Sequence, residues 1–124
     1  MCSAMPFEIT ISRHFSASHH LRLYDGRIEK HHRHEWQVKV TVGAAQTDSI
    51  GIVMDFHKLE RLLDAVLAGF QNRRLNDHRA FSSDNPSAEN VARFVAQSLA
   101  LPAGVELRAV EVCETPTNSA IYRP

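Results

Sequence analysis

His32-Arg33-His34-Glu35-Trp36-Gln37-Val38-Lys39-Val40-Thr41-Val42 alternates between two kinds of residue along its whole length. Trp36, Val38, Val40 and Val42 occupy the even positions and Gln37, Lys39 and Thr41 the odd ones. A period of two belongs to a β-strand with one face in a core and one in water. His32 and His34 continue the apolar side, so their imidazoles look inward, while His31 points the other way. Upstream, Phe7, Ile9, Ile11 and Phe15 alternate with Glu8, Thr10, Ser12 and His14, which predicts a first strand to about Phe15, interrupted on its apolar side by Arg13. His19 is in phase with that apolar set and His20 with the polar one. Two neighbouring antiparallel strands would then bring His19, His32 and His34 to one point.

Between these strands Asp25-Gly26 signals a turn. Downstream, Leu59, Leu62, Leu63, Val66, Leu67 and Phe70 recur at helical spacing behind Asp55, predicting a helix over roughly 55–69. Asn85-Pro86 signals a second helix start, with Val91, Phe94, Val95 and Leu99 on its buried face and Pro102 beyond its end. Val105, Leu107, Ala109, Val110 and Val112 read as a third strand, and Ser119 to Tyr122 as a short fourth after Thr115-Pro116-Thr117-Asn118. The order strand, strand, helix, helix, strand, strand implies an α+β fold: a four-stranded antiparallel sheet with two helices on one face.

With 124 residues, 44% of them hydrophobic, the chain suits one domain over 1–124 with its own core. Fourteen Lys and Arg balance fourteen Asp and Glu, so no net field favours nucleic acid or an anionic membrane. Cys2 and Cys113, at opposite ends, argue against a disulfide framework and for a reducing, cytoplasmic setting. Neither a leader nor a membrane span is expected. The anomaly is histidine: five of the eight fall between His19 and His34. Three neutral imidazoles with an open fourth position are the ligand set of a catalytic Zn²⁺ site, whereas structural zinc usually closes its shell with cysteines, which this segment lacks. The plain alternative is a solvated histidine tract, but such a tract would not continue the apolar face of a strand.

Several segments together resemble the 6-pyruvoyl and 6-carboxytetrahydropterin synthase family. Phe15-Ser16-Ala17-Ser18-His19 looks like its Phe-Ser-Ala-x-His, and His32-Arg33-His34 like its His-Gly-His. Gly51-Ile52-Val53-Met54-Asp55-Phe56 looks like its Gly-x-Val-x-Asp-Phe. Asn85 to Asn90, Glu114-Thr115 and Ile121-Tyr122 also have counterparts. The resemblance implies a tunnelling (T-) fold, a homohexamer built as a dimer of trimers with sites between subunits, and a dihydropterin as small-molecule substrate. It makes His19, His32 and His34 the zinc ligands, in agreement with strand parity. Glu114 would hold the pterin ring, and Ser87 and Glu89 would line its pocket, unless those two merely serve a helix N-terminus.

Two departures qualify the resemblance. The family's cysteine base falls on Ile28, and one residue later stands Glu29, as in the type III subgroup, where glutamate replaces cysteine. Glu29 is therefore the candidate base. The family's Leu-Asp-His falls on Phe70-Gln71-Asn72, leaving Asp77-His78 as candidate replacements should a rebuilt loop bring them in, against the plainer reading of a surface turn. The expected activity is a zinc-dependent lyase acting on the side chain of a dihydropterin such as dihydroneopterin or its triphosphate. The alternative is a catalytically inactive protein of the same fold that binds metal and a pterin-like ligand. A cupin-like metalloenzyme is disfavoured, since its later glutamate and second histidine motif are missing.

Overall fold

The alternation that begins at Phe7 does not stop at Phe15. In the computed structural model, which describes residues 5–124, β1 spans Phe7–His19 and β2 spans His32–Ala44. They pair antiparallel without a slip, from Phe7 opposite Ala44 to His19 opposite His32. An unbroken register preserves the side-chain parity along the whole hairpin. Arg13 keeps its place on the core face by reaching helix α1 (Phe56–Leu67), where Nε donates to Asp64 Oδ1 at 3.0 Å.

Helix α1 starts at Asp55, whose carboxylate accepts the N–H of His57, and it buries Leu59, Leu63 and Leu67. Helix α2 (Ala88–Ser98) buries Val91, Ala92 and Val95. Its cap is Ser87, whose Oγ accepts from Asn90 N, so Pro86 precedes the helix and does not open it. Strands β4 (Glu106–Thr115) and β5 (Asn118–Tyr122) complete an antiparallel hairpin beside β2. Both helices bury their apolar faces in one core with Phe15, Trp36, Val38, Val40, Val110 and Val112.

The sheet has five strands, one more than the sequence predicts. The addition, β3 (Arg73–Arg74), pairs parallel to β1 at the sheet edge. Two residues carry no periodicity, which is why the pattern does not announce it. Asn72 makes the turn into β3 with φ 58°, a left-handed conformation that Asn tolerates. Cys113 is a free, half-buried thiol opposite Gln37, whereas Cys2 lies outside the described residues. Among the described residues no helix is long and apolar enough to cross a membrane.

Candidate metal centre

The end of the β1–β2 hairpin, where apolar side chains give way to imidazoles, sits on Trp36. That ring is fully buried, stacks on Phe15 at 5.6 Å and donates from Nε1 to the carbonyl of Ala17 at 3.1 Å. Edge-on to it lie His19, with ring centroids 4.8 Å apart, and His34, at 6.0 Å. The centroids of His19 and His32 are 4.5 Å apart, and those of His32 and His34 are 4.6 Å apart. The three histidines expected from parity therefore converge. Glu114 joins them from β4, two residues beyond Val112 and at the point where the pairing of β4 with β5 is irregular, between Cys113 and Thr115. One donor atom from each of His19, His32, His34 and Glu114 lies within 4.8 Å of every other.

The protons on two of the rings are fixed by backbone. His19 Nδ1 is 2.7 Å from the carbonyl of Pro86, and His32 Nδ1 is 2.8 Å from that of Lys30. A carbonyl only accepts, so each Nδ1 carries a proton, and in the neutral ring that tautomer leaves the Nε2 lone pair for a ligand. His19 is 1% exposed, and burial holds its pKa below the ordinary imidazole value, favouring the neutral ring. Its Nε2 lies 2.6 Å from Glu114 Oε1, yet no hydrogen bond joins them and Nε2 is a buried polar atom without a partner. A neutral imidazole lone pair that close to a carboxylate oxygen repels it unless a cation lies between them. Three imidazole nitrogens beside a carboxylate fit zinc, with the histidines as ligands and a position left open. Glu114 Oε1 is also 3.7 Å from His34 Nε2.

Glu29 borders this cluster. Its Oε1 accepts the N–H of Leu21 at 3.1 Å and lies 3.8 Å from His32 Nδ1. Its own N–H donates to the carbonyl of Leu21 at 3.0 Å, which pins the loop against the strand end. Ile28, at the position of the family's cysteine, is 67% exposed.

Asp77 and His78 are not part of the cluster. His78 packs among Phe70, Phe81 and Phe94, and its Nδ1 accepts the N–H of Ala80, capping a short 3₁₀ turn over Arg79–Phe81. Burial and then the nearby Arg79 and Arg73 lower its pKa. Asp77 is exposed and pairs loosely with Arg74 at 3.9 Å, so it does not orient the His78 ring. Gln71 and Asn72 serve the backbone, with Gln71 Oε1 accepting from Ser16 N at 3.0 Å and Asn72 N donating to the Ser16 carbonyl. Ser87 spends its hydroxyl oxygen on capping α2, and Glu89 is exposed in that helix's first turn. Pattern reading misses the Pro86 and Lys30 carbonyls, because a backbone acceptor leaves no mark in side-chain chemistry.

Known proteins carry the same arrangement of chain. A family model described as 6-pyruvoyl tetrahydropterin synthase matches residues 8–124. The chain is 31% identical to the 6-carboxy-5,6,7,8-tetrahydropterin synthase of Bacillus subtilis, with 95% of this chain and 86% of that one covered. It is 30% identical to the dihydroneopterin monophosphate aldolase of Pyrococcus furiosus, with 81% and 82% covered. Its fold superimposes on the Caenorhabditis elegans 6-pyruvoyl tetrahydropterin synthase with a TM-score of 0.78 at 24% identity, covering 98% of this chain and 99% of the other. By the extent of the model match and of the relatives' coverage, the chain belongs to the 6-pyruvoyl tetrahydropterin synthase family.

Proposed function

We propose that the chain is a zinc-dependent lyase that cleaves the side chain of a dihydropterin such as dihydroneopterin or its triphosphate. The observation that carries this reading is the inward convergence of His19, His32 and His34, with the Nδ1 protons of His19 and His32 tied to backbone carbonyls. The family's relatives act in pterin chemistry by name, as synthases and as an aldolase, which supports a pterin side chain as the reacting group.

Zinc, held by His19, His32 and His34, would supply Lewis-acid charge for a substrate oxygen that becomes negative. Glu29 is the general base: its carboxylate, steadied by the Leu21 N–H, takes a proton from the substrate side chain. Glu114 turns Oε1 toward the imidazoles, while its Oε2 has no hydrogen bond among the described residues and accepts from the amino-pyrimidine edge of the ring. Glu89, exposed in the first turn of α2, lines the rim with Ser87, one residue beyond the Pro86 whose carbonyl orients His19. No step falls to Asp77 or His78, which within one chain stand apart from the cluster.

Incubating the zinc-loaded chain with dihydroneopterin and with its triphosphate, and separating the pterins by chromatography, tests the reading. A new pterin product is expected, lost in Glu29→Ala while zinc content is unchanged. Zinc and pterin binding without turnover of any dihydropterin would instead establish the inactive binder.

A further inference from the structure

The chain as a whole is electrically balanced, yet three arginines fall within seven positions, at 73, 74 and 79. They line one cleft of about 500 Å³ together with Gly69, Asp77 and His78. Asp77 is the only carboxylate in that lining, and its contact with Arg74, at 3.9 Å, is too long for a hydrogen bond. Among the described residues no carboxylate lies within 4.0 Å of Arg73 or Arg79, so the cleft holds two guanidinium groups free of ion pairs. Guanidinium groups present several N–H donors in a planar fork that suits phosphate oxygens. Three of them around a concave surface, with one loosely paired carboxylate between them, select for an anion.

The scaffold beneath these side chains is firm. Arg73 and Arg74 form the edge strand paired with Ala17 and Ser18 of β1. Asn76 clamps the next residues to the same strand end: its Oδ1 accepts the N–H of His20 at 3.0 Å, and its Nδ2 donates to the His20 carbonyl at 3.0 Å. His20 follows the metal-site residue His19, so the basic cleft and the imidazole cluster hang on the same end of β1. Gly69 keeps the wall low, since a Cβ there would stand 3.3 Å from His78 Nε2.

We infer that the Arg73–Arg74–Arg79 cleft is a phosphate-binding subsite. Its ligand is a phosphate ester or a free phosphate anion. Only the source of that phosphate rests on the pterin reading; a phosphorylated dihydropterin would bring its own.

Inorganic phosphate is the probe, titrated into the zinc-loaded chain at constant ionic strength with chloride as control, while the arginine Nε–H resonances are followed by NMR. Saturable shifts are expected at Arg73, Arg74 and Arg79, with an apparent Kd at least tenfold weaker in Arg73→Gln/Arg79→Gln. Both side chains are exposed, and Arg79→Gln alone gives a second variant should the double one unfold. Shifts no larger than those with chloride, or equal affinity in wild type and variants, would overturn the inference. The probe contains no pterin, so this result is independent of whether a dihydropterin is turned over. Comparing KM for dihydroneopterin and its phosphate esters then separates the sources. A rise in the variant confined to the esters assigns the cleft to the substrate's phosphate, and no change for either assigns it to a free anion.

Discussion

Two adjacent residues, Ile28 and Glu29, differ in what their side chains meet. Ile28 faces water, while Glu29 is tied to the Leu21 N–H beside His32. Glu29→Gln keeps shape and hydrogen bonding but removes the base, and general-base catalysis is typically worth about 10²–10⁴-fold. A kcat lower by that factor with unchanged zinc content is the expected result in steady-state kinetics. Trp36 is the floor of the centre and the only tryptophan. Trp36→Ala is expected to cost about 3–5 kcal/mol in urea unfolding. The three histidines were legible from parity alone, because β1 and β2 pair without a slip. Glu114 keeps the parity of Val110 and Val112, but it was singled out only through the family resemblance, since a carboxylate at a strand end carries no mark of the imidazoles it will face. The place of His78 was not legible: within one chain its imidazole turns back on its own backbone and packs against phenylalanines, and sequence does not reveal where a lone ring turns.

At the level of elements, the hairpin, both helices and the β4–β5 hairpin followed from periodicity and caps, whereas the two-residue β3 depends on tertiary contacts. The turn into β3 depends on Asn72, at φ 58°. Asn72→Val should destabilise the fold by about 1–2 kcal/mol, more than Asn72→Gly, by thermal or urea melting. His78 gives the 3₁₀ segment a pH dependence. The unfolded imidazole takes up a proton near pH 6.5, but the folded one, with its pKa lowered, resists until lower pH. Its contribution to stability is therefore complete above about pH 6.5 and declines as pH falls through that value toward the folded pKa. His78→Phe should flatten this part of the stability profile between pH 7 and 5; an unchanged slope would contradict it.

For the whole molecule, β3 and β5 leave the sheet with two edges, and unpaired edges invite another chain. The family resemblance makes the expected product a hexamer of two trimers, and light scattering in solution should find six chains per particle. A monomer would remove the intersubunit location of the site. All of the proposed chemistry requires one ion per chain at the imidazole cluster. The most direct measurement is zinc content by atomic spectroscopy after loading and exhaustive dialysis, for wild type and for His32→Ala/His34→Ala with folding checked by circular dichroism. One equivalent in the wild type and almost none in the folded variant is the expected result, and a full equivalent retained by that variant would contradict it.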